Sequence, residues 1–455
     1  MGQDPARLAH ENIGKLLFTF AFPSIIASTA CSLYNVIDSI FIGQSLGPLA
    51  LAALGISLPI MNLATAFGTL VGSGAAALVS IRMGEKKQIE ATQILGNALL
   101  LNLIISICFT ISTLFFLHPI LHFFKTSEAV MPYAVEFLRI ILIGNIFSQL
   151  LFGLNAVMRA SGYPTKAMLS VLITVVCNLI FAPIAIFALG WGMSGAAWAT
   201  VTAQFIGMCW VLAHFLQKKS CIHFQKGEIH FNMKIVFGIF AIGLSPFFIH
   251  ICTSIVTLIM NGRLGIYGGD DAIASYSLVN RILSLIITAV LGLTHGMQVI
   301  VGYNYGANNH ERVLKTYWLT VVCAMVICTG GFIVTMVAPH TIVRCFVPSM
   351  NNEPMIDIAI QAMQICCCML PLVGFQVVTS NFFQAIDKAK IAIFLSILRQ
   401  IIFLIPLVLL LPMVMGLKGV WYAIPFADIC SIIVSALIMG HFIRQYKTKQ
   451  RALSV

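Results

Sequence analysis

Six ionisable side chains interrupt long apolar stretches of this 455-residue chain: Asp38, Glu136, Arg139, Arg281, Arg399 and Asp428. A charge in apolar surroundings is costly unless paired, so each marks an ion path or a buried charge pair by default. Asp38 is the first candidate, because taking up a proton would relieve the cost of its burial; the competing reading is a structural acid neutralised by a neighbouring helix. Asp428 is expected to pair with Arg399 or Arg281, either as a static tie between helices or as a pair that breaks and reforms between two states. Glu136 and Arg139, three apart, are expected to pair on a helix surface. The amides Gln298, Gln376, Gln384 and Gln400 could line a cavity or pack between helices. His250 and His295 could titrate, but no carboxylate or nucleophile is matched to them. The sequence has no H-E-x-x-H, G-x-S-x-G or G-x-x-x-x-G-K-[ST], which argues against an enzyme and against an ATP-driven machine. The thirteen Cys lie mostly in apolar stretches without a C-x-x-C, as small core residues rather than metal or redox ligands.

The elements that must position these residues follow from composition. At 59% hydrophobic, 9% charged and a mean hydropathy of +0.98, against about a quarter charged in ordinary soluble chains, the main solvent is lipid. Disorder, nucleic-acid partners and secreted disulfide scaffolds are excluded together. A helix needs about 20 apolar residues to cross a bilayer core, and twelve runs qualify: 14–40, 49–80, 91–117, 129–156, 165–188, 193–217, 234–260, 272–302, 314–337, 355–382, 389–412 and 418–444. The runs are continuous rather than alternating, which excludes a β-barrel. Gly268-Gly-Asp-Asp271 reads as an outer turn, with its acids at the positive end of the eighth span. The fold is predicted to be an all-α polytopic membrane protein.

With both termini placed in the cytoplasm, nineteen of the 26 Lys and Arg fall on that side, and only Lys125, Arg263, Arg344 and Lys418 lie opposite. That asymmetry sets the expected orientation. Residues 1–18 carry acids and Pro5 ahead of the apolar run, without a small-residue cleavage site, so the first span reads as retained.

The chain also repeats itself at an offset near 222. Gly74 and Gly84 answer to Gly296 and Gly306, Lys166-Ala167 to Lys388-Ala389, Asn178 to Gln400, and, at 224, Gly195 to Gly419. Two parallel six-helix lobes are predicted, 1–217 and 234–455, joined by a cytoplasmic linker over 218–233. Parallel lobes of this kind rock about a central cavity, and without an ATPase motif the chain would draw on an ion gradient.

At Leu33-Tyr-Asn-Val-Ile-Asp38-Ser-Ile-Phe-Ile-Gly43, Arg159-Ala-Ser-Gly162, Asn178-Leu-Ile-Phe-Ala-Pro183, Gly302-Tyr-Asn-Tyr-Gly-Ala307 and Leu398-Arg-Gln400, the sequence resembles the MATE (multidrug and toxic compound extrusion) family over essentially its whole length. The resemblance implies a secondary active exporter of organic cations and amphiphilic drugs, driven by H+ or Na+, in a bacterial inner membrane. It places the coupling carboxylate at Asp38 and the cation site at Tyr34, Asn178 and Thr200, with Asn155 as a polar neighbour; Asn178 and Thr200 could equally be packing hydrogen bonders.

Many members of the most similar branch carry N-x-x-x-D-P, where this chain has Ala182 before Pro183. With the second acid missing, a proton on Asp38 is favoured over Na+. Asn261, at the corresponding place in the second lobe, is uncharged, which puts coupling in the first. Twenty Met and 32 Phe suit adaptable apolar contact. Pro23, beside the site, is a candidate hinge, and Pro183, Pro246 and Pro406 repeat the pattern. A flippase for a lipid-linked sugar or other amphiphile is the alternative; its phosphates would call for more Arg and Lys than Arg281 and Arg399. No cofactor beyond the coupling ion is expected; the expected partners are small-molecule drugs or organic cations and the lipid bilayer, and the chain is expected to work as a monomer.

Overall fold

A computed structural model describes residues 7–124, 126–218, 220–225, 230–346 and 353–453; Lys125, Lys219 and Lys226 of the charge tally, and residues 226–229 of the expected linker, lie outside them. Among the described residues every regular element is helical. Among these residues eleven helices are long and apolar enough to cross a membrane, and a bent pair taken as one span makes a twelfth. In chain order they are α1 (Ile13–Leu46), α2 (Pro48–Gly84), α3 (Gln88–Phe115), α4 (Met131–Ala160), α5 (Pro164–Ala188), α6 (Gly192–Leu216), α7 (Met233–Gly269), α8 (Asp271–Gly306), α9 (His310–Val337), α10 (Glu353–Cys367 with Leu370–Ala385), α11 (Ala389–Met415) and α12 (Leu417–Leu453).

The predicted spans are recovered, with longer ends and three local departures. The tenth span is broken rather than continuous, bending by 52° between Cys367 and Leu370. Pro371 has no N–H to offer the carbonyl of Cys367, and its ring crowds that carbonyl. Both α5 and α11 contain π-helical turns, Ile184–Ala188 directly after Pro183 and Leu398–Leu404 just ahead of Pro406. At each, a missing proline donor adjoins the shifted hydrogen-bond pattern, and such turns re-aim side chains at functional sites.

The turns at the basic end correct the register of the repeat. Left-handed Lys86 (φ 62°) between α2 and α3 answers to Asn308 (φ 55°) between α8 and α9, at the expected 222. Gly162 (φ 95°) between α4 and α5 answers to Asp387 (φ 58°) between α10 and α11, which is 225. Lys388 therefore caps its helix as Tyr163 does, and it is not the counterpart of Lys166, nor Gln400 that of Asn178.

Apolar packing is divided into four main cores, two towards each end of the molecule. At the basic end one core joins Val290 to Tyr303 of α8, Tyr317 of α9, Phe382 and Phe383 of α10 and Met439 of α12 to Leu16, Leu17, Phe20 and Ala21 of α1. Its counterpart joins α2–α6 to Val236, Ile239 and Ile242 of α7. At the opposite end, Ile42 of α1 packs with α2–α6, and Met260 and Leu264 of α7 pack with α8 and α10–α12. So α1 and α7 each begin in the other half's core and finish in their own. Pro23 and Pro246 lie shortly before the two crossings, since Ile25 and Phe247 still pack on the other half's core.

Also at the basic end, the halves meet backbone to backbone. A Cβ on Gly84 of α2 would collide with the carbonyl of Tyr303 of α8, and one on Gly306 would collide with that of Ile81, the same contact reflected through the repeat. Leu8 is buried in the α8–α12 core, and its carbonyl accepts from Asn304 at 3.1 Å and Arg312 at 3.2 Å. The stretch before α7 is stitched to α3, Asn97 donating to the His230 carbonyl at 3.1 Å and accepting from Asn232 N at 2.9 Å. This end is sealed. Gly306→Val is expected to part α2 from α8, raising several-fold the thiol-labelling rate of a single cysteine placed at Ser80 in a cysteine-free background.

Candidate functional site

Tyr34 and Asp38 lie one turn apart on α1, and that spacing stacks them on one helix face. Asp38 is only 8% exposed, and its Oδ1 is buried without a hydrogen-bond partner. Helix α5 brings in Asn178 and α6 brings in Thr200, 2% and 4% exposed. Asn178 Nδ2 donates to Thr200 Oγ1 at 3.0 Å and to the Tyr34 hydroxyl at 3.5 Å; Tyr34 and Thr200 share a hydrogen bond at 3.3 Å. Three helices are thus clipped together one turn from a carboxylate oxygen that nothing clips.

Beneath this layer lies a cavity of about 30 Å3, lined by Cys31, Tyr34, Phe152, Thr174, Asn178, Thr200 and Gln204 among others, which is room for a water-sized guest. Sequence reasoning missed Cys31, Thr174 and Gln204. Helical spacing could have found them, since they stand three residues before Tyr34, four before Asn178 and four after Thr200.

Asn155 is not part of this cluster. Its Nδ2 donates to the Ala167 carbonyl and to Ser170 Oγ, both at 2.7 Å, tying α4 to the first turns of α5. Ser170 is eight residues from Asn178, about 12 Å along the helix. Ala182, where the resembling branch carries its second acid, is fully buried among apolar residues. Pro23 sits in α1 between Ala21, which faces Gly296 of α8, and Ile25, which faces Gly292.

In the second half Asp428 selects one of its two candidate partners. Arg399 Nε donates to Asp428 Oδ1 at 2.6 Å, with the acid side chain 3% exposed and the arginine 28%. The π-helical turn of α11 is what carries Arg399 there. Arg281 is exposed and outside this pair. Gln298 Nε2 donates to Asn381 Oδ1 at 3.0 Å and Gln384 Oε1 at 3.3 Å, forming an α8–α10 tie. Gln376 is buried with Oε1 unpartnered, whereas Gln400 lies part-buried in the π-helical turn. The expected Glu136–Arg139 pair is replaced: Glu136 accepts from the backbone and hydroxyl of Ser194, capping the open N–H groups at the start of α6. Among the described residues no three His, Cys, Asp or Glu cluster as metal ligands.

The MatE family model matches residues 23–184 and 246–410. The multidrug export protein MepA of Staphylococcus haemolyticus is 26% identical over 444 residues, 97% of this chain and 96% of that one. MepA of Staphylococcus saprophyticus is 23% identical over 97% of this chain and 96% of its own. Among solved structures, a complex of the MATE multidrug transporter DinF-BH is 34% identical, with a TM-score of 0.90 over 97% of this chain and 98% of that one. An outward-facing multidrug resistance MATE family transporter of the MOP superfamily shares the fold at a TM-score of 0.93 and 23% identity, over 98% and 99%.

The charge pair carries the first stability test. Arg399→Ala strands the buried Asp428 carboxylate and is expected to cost about 3–5 kcal/mol. The paired change Arg399→Met with Asp428→Leu should recover most of the loss in thermal unfolding of the detergent-solubilised protein.

Proposed function

The chain belongs to the MatE family, and from that premise we propose that it is a multidrug exporter in which a cation and a drug occupy the first-half site in alternation. The observation that carries this reading is Asp38, a buried carboxylate with an unpartnered oxygen, one turn from the Tyr34–Asn178–Thr200 layer. An uncompensated carboxylate inside a membrane protein attracts a cation by default. A proton or an organic cation can each neutralise it, so binding of one weakens the other. That mutual exclusion is what exchange transport requires.

The ion assigned to Asp38 is a proton. A dehydrated Na+ would need several oxygens with negative charge among them, yet Ala182 supplies none, and the hydroxyls of Tyr34 and Thr200 are engaged with Asn178 and each other. The names of the relatives support the drug class: MepA is a multidrug export protein, and DinF-BH is a multidrug transporter. A lipid-flipping role gains nothing from the second half, where Arg399 is committed to Asp428 and is not free to take a phosphate.

By the excess of Lys and Arg, the sealed basic end is assigned to the cytoplasm, with both termini, and the arrangement then faces outward. Protonation of Asp38 removes a charge from the upper half of α1 while its lower half stays seated in the other core. Pro23, shortly before the junction, is where the helix would bend.

Two experiments test this. In inverted membrane vesicles, uptake of a fluorescent organic cation is expected to follow an imposed proton gradient and not a sodium gradient. Asp38→Asn should abolish that uptake, and uptake that survives the substitution would make Asp38 a structural acid. Pro23→Ala is expected to lower the transport rate about tenfold while leaving drug binding within about twofold; an unchanged rate would remove the hinge.

A further inference from the structure

A second polar feature of the first half lies between α2, α3 and α4, outside the layer formed by Tyr34, Asn178 and Thr200. On α3, Asn102, Ser106 and Thr110 recur every four residues; on α4, Asn145, Gln149 and Gly153 do the same. Four-residue spacing puts each set on one helix face, and two contacts bring the faces together. The Asn102 side chain lies against Gly153, where a Cβ would come within 2.6 Å of Nδ2. Thr110 Oγ1 donates to the Leu142 carbonyl at 2.8 Å. The two helices run antiparallel, so Ser106 falls opposite Gln149. From α2, Gly68 faces Gln149 and Gly72 lies on Gly153, on the third side of the seam.

These residues are deeply buried: Asn102 and Ser106 are 0% exposed, Asn145 4% and Gln149 2%. The hydroxyl of Ser106 is satisfied by the Leu103 carbonyl at 2.9 Å. The amides are not. Asn102 Oδ1, Asn145 Nδ2 and both Gln149 Oε1 and Nε2 have no hydrogen-bond partner. Buried amides without partners are heavily penalised in apolar surroundings.

The set holds two acceptor oxygens and two donor nitrogens, with no formal charge. A cation would meet the amide hydrogens and an anion would meet the oxygens. Water both donates and accepts, and it matches the set.

We propose that ordered water occupies this seam between α2, α3 and α4 as a hydration site separate from the Asp38 site. Helix α4 then borders the cavity at Phe152 and the water at Gln149. Bound water can exchange hydrogen bonds as α4 shifts, whereas direct amide contacts would hold it in one register.

Hydroxyl-radical footprinting of the full-length protein in lipid nanodiscs tests this without reference to transport. Phe109, beside Thr110 and 8% exposed, is expected to be oxidised several-fold faster than Phe382 and Phe383, both 0% exposed. Gln149→Leu, or Asn145→Leu if the first variant folds poorly, should bring Phe109 down to their level. Equal oxidation of the three phenylalanines in the wild type would mean a dry seam and overturn the proposal, as would excess oxidation that survives both substitutions. Loss of the excess when Na+ replaces choline at constant ionic strength would put a cation in the seam instead, and would also overturn it.

Discussion

Most of this chain is built for surroundings that offer no water to a stranded polar group, so each such group must find its partner inside the protein. Arg399 and Asp428 obey that constraint in the second half, closed on each other at 2.6 Å. The hydroxyls of buried Ser and Thr obey it locally by donating to the preceding helical turn, as Ser57 does to Ala53 and Ser431 to Asp428. Asp38 does not obey it. Its Oδ1 is buried without a hydrogen-bond partner, and that open acceptor is the feature on which the proposed exchange of cations rests.

The two halves therefore share a repeat but differ in how they treat charge. The first half keeps its acid open, one turn of α1 from a layer of neutral hydroxyl and amide groups contributed by three helices. The second half keeps an acid closed by an arginine, and the residue near the place equivalent to Asp38 is the neutral Asn261. One half leaves a carboxylate oxygen open, and the other ties its acid across α11 and α12.

Much of the architecture was legible in the sequence because lipid imposes a single simple signal, continuous apolarity for the length of a bilayer. The breaks were less legible. Pro371 is visible in the sequence, but the residues around it stay apolar, so the run reads as one span although the helix turns by 52°. The π-helical turn carrying Arg399 leaves no compositional trace, since it is a change of hydrogen-bond partner rather than of residue type; the choice of Arg399 over Arg281 depended on it. Tyr34, Asn178 and Thr200 converge as the resemblance implied. Asn155 does not, because its position in α4 points it at the first turns of α5, and two turns of helix separate those from the site. The repeat offset was right where α2 ends, yet three residues short where α4 ends, because the intervening segments of the two halves differ in length.

The crossing of α1 and α7 between cores has a consequence for how the protein comes to exist. The basic-end core of the first half needs Ile239 and Ile242, residues made only after all of α2–α6. The corresponding core of the second half needs Leu16 and Phe20, which by then have waited through the synthesis of more than half the chain. Neither half can be finished alone. The bilayer must hold the first half of α1, apolar enough to remain inserted, without its partners until α8 arrives to receive it. Biosynthesis thus ends in a mutual exchange of helix ends, and the two halves are interlocked from the moment either is complete.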